Sequence, residues 1–370
     1  MERLYMKFPP TRSPRLLAAL ALTAAASLTL TACGGSAEPG TSSDAGGGGD
    51  VAVTLITKDN NNPFFVAMQA GAKESGTQNG VSITTAAGAK DGDEDGQVKA
   101  IEAAVARGDK GILITPNGPG VNSALDSARQ AGLYVIALDT PPDPADTADI
   151  TFATDNFKAG VLIGEWTAAK LDGKTANIAL LDLHNDKIVS VDYNRDQGFL
   201  TGMGIDVKDK MKNGDEDKTG SYSGGDYTIV CNEPTSGAQD EGKSAMENCL
   251  SKTKDINVVY TINEPAAAGA AEAIEAAGLE DVILVSVDGG CSPGLELVAD
   301  GTVSATSQQY PLKMAQLGVE AIKKIADGGE APAVTEGLTF YDTGVSLVAG
   351  EPMEGVDSIS VEEGQELCWG

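Results

Sequence analysis

Short apolar runs alternate with amphipathic stretches along most of the chain. Val51-Ala-Val-Thr-Leu-Ile56 reads as a strand buried on both faces. The polar loop Thr57-Lys-Asp-Asn-Asn-Asn-Pro63 follows, and Phe65 to Glu74 reads as a helix, with Pro63 suited to its first position. The same unit recurs. Val81–Ala87, Gly111–Thr115, Tyr134–Leu138 and Ile150–Thr154 read as strands, and Gly96–Arg107, Val121–Ala131 and Phe157–Lys170 as helices. A second series begins near Lys174. Its strands are Ala176–Asp182, Thr228–Cys231, Asn257–Ile262, Val282–Val287 and Val303–Thr306, and its helices are Ala238–Leu250, Ala266–Ala277 and a last one reaching about Ala326. Such alternation predicts two similar α/β halves, each a doubly wound parallel sheet, with a cleft between them. The Gly-rich, charged stretch between Asp206 and Tyr227 is expected to be a surface loop.

In such folds ligands meet the loops at the carboxyl ends of the strands. The first of these loops offers amide and ammonium donors (Asn62, Lys58) beside two rings (Phe64, Phe65). Hydroxyl partners on one edge and an apolar face describe a site for a sugar. Taken alone, the same residues also fit a solvated turn and two core rings.

Charge and the N-terminus set the compartment. The 370-residue chain has a formal net charge of −28, a surface that repels nucleic-acid phosphates and anionic lipid. Basic residues Arg3, Lys7, Arg12 and Arg15 precede the apolar stretch Leu16–Leu30, which is short for a membrane span. Residues 1–32 therefore read as an export signal. Leu30-Thr-Ala-Cys33 resembles the bacterial lipoprotein signal, which implies lipidation at Cys33, and simple secretion with cleavage near Ala32 is the alternative. Residues 33–50, rich in Gly, Ser, Thr and Asp, form a flexible tether.

Four cysteines remain, Cys231, Cys249, Cys291 and Cys368, and in an exported chain they suggest disulfides with three possible pairings. Cys231–Cys249 is favoured because a short strand-to-helix span separates them. Cys291–Cys368 is then left to pin the C-terminal tail. Zinc is the rival reading, disfavoured by the lack of a CxxC pair and by a single histidine, His184. Asp91-Gly-Asp93-Glu-Asp95-Gly96 with Glu102 fits the spacing of an EF-hand calcium loop. It follows a strand instead of lying between two helices, so an acidic helix cap at Asp95 is the competing expectation. Trp166 is expected to pack in the core.

Six blocks in register resemble the type I periplasmic sugar-binding proteins of the ribose/fructose branch. They are Lys58 with Asn62-Pro-Phe-Phe65, Val135–Asp139, Arg195-Asp-Gln-Gly-Phe199, Asn263–Ala270, Val287–Cys291 and Ala305–Pro311. The run from Ala245–Cys249 through Thr261–Pro265 to Gln309-Tyr-Pro is most similar to the fructose-binding members. The resemblance implies two lobes joined by three crossings, near Ala153–Asn156, Gln308–Tyr310 and Tyr341–Gly344. Residues 51–153 and 310–341 would form the N-terminal lobe, and 154–309 with 342–370 the C-terminal one. It implies that Asn62, Phe64, Phe65 and Asp139, with Lys58 and Thr115, bind the ligand from the first lobe. Arg195, Asn263 and Asp288 would do so from the second, and Gln309 from a crossing. The sequence departs from ribose binders at Thr140, at Val287 and in the loop Thr235–Gly242, which has no aromatic residue.

The expected role is capture of a monosaccharide, fructose before ribose or another sugar, for delivery to an ABC permease and its ATPase. The body would be a monomer held by lipid at the outer face of the cytoplasmic membrane, without cofactor, metal or nucleic-acid partner. Two other classes are weighed. A transcription regulator of the same fold would need an N-terminal helix-turn-helix where this chain has an export signal. A glycosidase would use two carboxylates, and Asp139 with Asp288 could mimic that pair.

Overall fold

A computed structural model describes residues 51–370. Residues 1–50, with the expected export signal 1–32, lipidation site Cys33 and tether 33–50, lie outside the described residues. The first series of units runs β1 (Val51–Thr57), α1 (Pro63–Asn79), β2 (Val81–Ala87), α2 (Glu94–Arg107), β3 (Gly111–Ile114), α3 (Asn122–Gln130), β4 (Tyr134–Leu138) and β5 (Ile150–Ala153). The chain then crosses to the second lobe. There it forms α4 (Asn156–Leu171), β6 (Ala176–Asp182), α5 (Ser190–Met203), β7 (Thr219–Ser221), β8 (Asp226–Pro234) and α6 (Gln239–Lys252). β9 (Val258–Thr261), α7 (Glu264–Ala277), β10 (Ile283–Asp288), the short α8 (Glu296–Ala299) and β11 (Ala305–Gln308) complete that series. The second crossing leads to α9 (Pro311–Ala326) and β12 (Tyr341–Asp342), and the third to β13 (Ser346–Ala349) and α10 (Val361–Leu367).

The two sheets repeat one topology. The first has the order β12-β5-β4-β3-β1-β2 and the second β13-β11-β10-β9-β6-β8-β7. All pairs are parallel except β7 with β8 and β11 with β13. Strands such as Gly111–Ile114 and Val258–Thr261 are buried throughout, because helices cover both faces. Of the stretch expected to be a loop, Thr219–Ser221 forms the edge strand β7. The strand placed at Val303–Thr306 lies two residues later, at Ala305–Gln308. α2 is capped by Asp93, whose carboxylate accepts from the Gly96 amide, and not by Asp95.

Two disulfides form, Cys231–Cys249 between β8 and α6, and Cys291–Cys368 at the C-terminal tail. The tail does not belong to the second lobe alone. Trp369 is 3% exposed and packs in the core of the first lobe. Its ring stands edge-on to Phe64 with centroids 5.3 Å apart.

Candidate functional site

The first lobe supplies its groups from the ends of β1 and β4. Asn62 caps α1, its side-chain oxygen accepting from the Phe64 amide, which leaves Nδ2 as the donor it can offer a ligand. The cap turns Phe64 and Phe65 toward the cleft, where the rings meet edge to face at 5.4 Å. Both are buried core residues as well as lining, so the two readings of these rings hold together. Asp139 follows β4 with φ +63, a left-handed conformation that aspartate tolerates better than most residues. Thr140 donates its hydroxyl to Asp139 Oδ2 at 2.8 Å, while Asp139 Oδ1 is buried without a hydrogen-bond partner.

The second lobe answers with a cation. α4 and α5 touch backbone to backbone because glycines face each other. A Cβ on Gly160 would lie 2.2 Å from the Arg195 carbonyl, and one on Gly198 2.3 Å from that of Phe157. This contact fixes Arg195, 4% exposed, beside the start of α4. Its guanidinium donates to Asn156 Oδ1 at 2.7 Å and to the Ile262 carbonyl at 2.9 Å. From there it reaches Asp139 at 3.8 Å and Asp288 at 3.7 Å, one acid from each lobe. Burial raises the Asp288 carboxyl to about 6, against the opposing pull of Arg195 and a Gln309 hydrogen bond.

Asp288 is held by a residue that the sequence reading passed over. Glu264, at the start of α7, accepts from the Gly289 amide at 2.7 Å and the Gly290 amide at 3.2 Å. That fixes the turn in which Asp288 has φ +137. Burial, and then Asp288, push the Glu264 carboxyl well above its usual range. Gln309 donates to Asp288 Oδ1 at 2.7 Å, and its own Oε1 is buried without a partner. Asn263 lines the cavity but spends both ends of its amide on structure, capping α7 and bonding the Gly237 carbonyl.

Nine of the ten expected site residues surround one central cavity of about 30 Å³. The exception is Thr115. It is buried, its carbonyl accepts from Gln97, and it does not reach the cavity. Asp91, Leu183, Val191 and Ile262 line the cavity without having been expected there. Asp91 is the instructive one, because it belongs to the acidic run with calcium spacing. It pairs with Lys58 at 3.6 Å and with His184 of the second lobe at 3.2 Å. Burial opposes its ionisation, but Lys58 and His184 outweigh that and hold its carboxyl below the usual value. Asp93 caps α2, the Glu94 carboxylate accepts from the Gly120 amide, and Glu102 faces solvent. The run is spent on caps and a clasp. Among the described residues no three His, Cys, Asp or Glu side chains are grouped to hold a metal. Lys187 to the Gly92 carbonyl and Ser190 to the Pro141 carbonyl extend the clasp between the lobes.

Two matching α/β lobes, with acids and a guanidinium meeting in the cleft, define a two-lobe ligand-capturing fold. A family profile described as a periplasmic binding protein domain matches residues 52–330. The chain belongs to that family. It is 30% identical over 278 residues to the D-apiose import binding protein of Actinobacillus succinogenes, covering 75% of this chain and 82% of that one. With the ribose import binding protein of Salmonella typhimurium it shares 26% over 282 residues, 76% and 86% of the two chains. A solved solute-binding protein of Actinobacillus succinogenes with bound D-allose superposes with a TM-score of 0.69 at 23% identity. That match covers 85% of this chain and 99% of the other. These relatives are transport proteins and not enzymes. No helix of the described residues is long and apolar enough to cross a membrane.

Proposed function

We propose that the protein captures a neutral monosaccharide between its lobes outside the cytoplasm and delivers it to an ABC permease. The observation that carries this is a pair of buried acceptors with no hydrogen-bond partner, Asp139 Oδ1 (with only the Arg195 guanidinium near it, at 3.8 Å) and Gln309 Oε1, on residues that line one cavity with Phe64 and Phe65. Buried polar atoms require partners. Sugar hydroxyls supply them, while ring C–H faces pack on the two rings. The carboxyl oxygens of Asp139 and Asp288 accept from sugar hydroxyls, and Arg195 donates to ring or hydroxyl oxygens.

A cavity of about 30 Å³ has room for a couple of waters, at roughly 10–15 Å³ each. A sugar enters when the lobes part about the three crossings and is enclosed when they close. The clasp from Asp91 and Gly92 to His184 and Lys187 is made on closure, so the closed form offers the permease a joined surface. The relatives' ligands include ribose, D-apiose and D-allose. Fructose is our reading for this chain, from its similarity to the fructose-binding branch and the changes at Thr140, Val287 and Thr235–Gly242. Lipidation at Cys33 would hold the body to the membrane.

The test is calorimetric titration of the body from residue 34 onward, refolded free of carried-over ligand, with fructose, ribose, mannose, galactose and myo-inositol. Micromolar or tighter binding of fructose is expected. Tight binding of a different sugar alone sinks the fructose assignment and keeps the transport role. Silence across the panel sinks the cleft as a sugar site.

A further inference from the structure

At the mouth of the cleft lies a second and much larger cavity, of about 420 Å³. It adjoins the central one, since Asn62 and Asp91 line both. Its walls come from both lobes. Asn61, Pro63 and Lys90 stand on one side, and Ser236, Gln239 and Pro265 on the other. We propose that this mouth is a second saccharide subsite, so that the protein accepts a neutral disaccharide whose first ring occupies the central cavity. The proposal rests on the sugar reading of that central cavity.

Size argues first. The mouth has more than ten times the room of the centre, enough for a whole pyranose or furanose ring. The loop Thr235–Gly242 carries no aromatic side chain that could fill it. That loop and α7 contribute the small residues Gly237, Ala238 and Ala268 beside the polar Ser236, Gln239, Asp240 and Glu241.

Chemistry argues next. Pro63, Pro265 and Pro293 give apolar surface without hydrogen-bond demand, suited to the C–H face of a ring. The amides of Asn61 and Gln239 and the hydroxyl of Ser236 offer donors and acceptors at the rim. Charge selects the class of ligand. Asp59, Asp91, Asp240 and Glu241 line the mouth against the single cation Lys90. That excess of negative charge disfavours a sugar phosphate or a uronic acid and leaves a neutral unit. Because Asp91 also pairs with His184, a second unit seated here lies beside a contact between the lobes.

The probes are D-fructose, sucrose and inulobiose, titrated into the wild type and into two variants that fill the mouth from opposite lobes, Ala238→Trp and Lys90→Trp. Ala238 has extended backbone (φ −109, ψ 151) and Lys90 is exposed, so both positions admit a large ring. Unchanged thermal midpoints establish that each variant is folded. The wild type should bind at least one disaccharide as tightly as fructose. Each variant should weaken that disaccharide tenfold or more and leave fructose within threefold. Disaccharide binding without fructose binding, lost in the variants, also supports the proposal. Fructose binding with neither disaccharide bound overturns it and leaves the central site intact. Equal loss of both ligands in the variants overturns it too, by placing the first ring in the mouth. Silence of all three probes overturns the proposal together with the fructose assignment.

Discussion

Asp288→Asn separates what the cleft does for stability from what it does for binding. In the unfolded chain this carboxyl loses its proton near 3.8, and in the folded protein near 6, because burial opposes its charge. Between those values the folded state holds a proton that the unfolded state has released, so stability falls as pH rises through the interval. Each unit is worth roughly 1.4 kcal/mol, which makes the whole interval about 3 kcal/mol. With a sequence pI near 4.2, work below pH 4.5 invites precipitation, and from pH 4.5 upward about 2 kcal/mol of the effect remains. Asparagine cannot titrate, keeps the shape, can still accept from Gln309 and tolerates positive φ.

The stability of the variant minus that of the wild type should therefore rise by about 2 kcal/mol between pH 4.5 and 8. The measurement is urea unfolding at a series of pH values, with coincidence of two probes as the check on two-state behaviour. Binding should move the opposite way. An ionised Asp288 accepts a sugar hydroxyl more strongly than a neutral amide does. Wild-type affinity should then fall by up to tenfold per unit below pH 6, while the variant binds at least tenfold more weakly at pH 8 and without that pH dependence. A stability difference that stays flat across pH would refute the reasoning, because it would mean Asp288 is not protonated in the folded protein.

Three further outcomes follow from the same geometry. Arg195→Lys keeps one charge but loses the fork that spans Asn156, the Ile262 carbonyl and the two acids, and should weaken sugar binding by more than thirtyfold in calorimetry. Removing Cys291–Cys368 as a double serine variant frees a 77-residue separation, against 18 for Cys231–Cys249. Chain entropy then gives losses of about 4–5 and about 3 kcal/mol in denaturant titration, and a reversed order would argue against loop closure as the cause. His184→Ala breaks the clasp to Asp91 across the mouth and should raise the sugar dissociation rate about fivefold in stopped-flow mixing. An unchanged rate would place closure elsewhere.

Much of the architecture was legible because parallel sheets are built from local signals. The apolar runs gave the central strands of both sheets, with Ala305–Gln308 two residues beyond its expected place, but not the short edge strands Thr219–Ser221, Tyr341–Asp342 and Ser346–Ala349. An edge strand with both faces exposed has no alternation to betray it. Of the residues expected at the site, most of those at the ends of strands do line the central cavity, since loop position and chemistry coincide there. Thr115 was misplaced because a threonine at a strand end serves the sheet as readily as the cleft. Asp91 was visible only as one member of an acidic run. Its partner His184 is 93 residues away, and no spacing in the chain connects them. Glu264 looked like an acid in the first turn of a helix, which it is. That its carboxylate also binds the amides of Gly289 and Gly290 depends on the packing of α7 against β10. Trp369 lay beyond reach for the same reason, because the disulfide fixed the tail's anchor and not where its ring would go.

The placement of Trp369 gives the protein an optical reporter of its own. The chain has two tryptophans. Trp166 is sealed in the core of the second lobe, its indole N–H bonded to the Glu351 carbonyl, in surroundings that do not involve the cleft. Trp369 touches Phe64 of the first lobe and donates its indole N–H to the Gln309 carbonyl at a crossing, while its own carbonyl accepts from Cys291 in the second lobe. One emitter is a fixed reference and the other stands where the moving parts meet. With Trp166 replaced by Phe, the remaining emission would read the opening and closing of the lobes directly, with no dye attached.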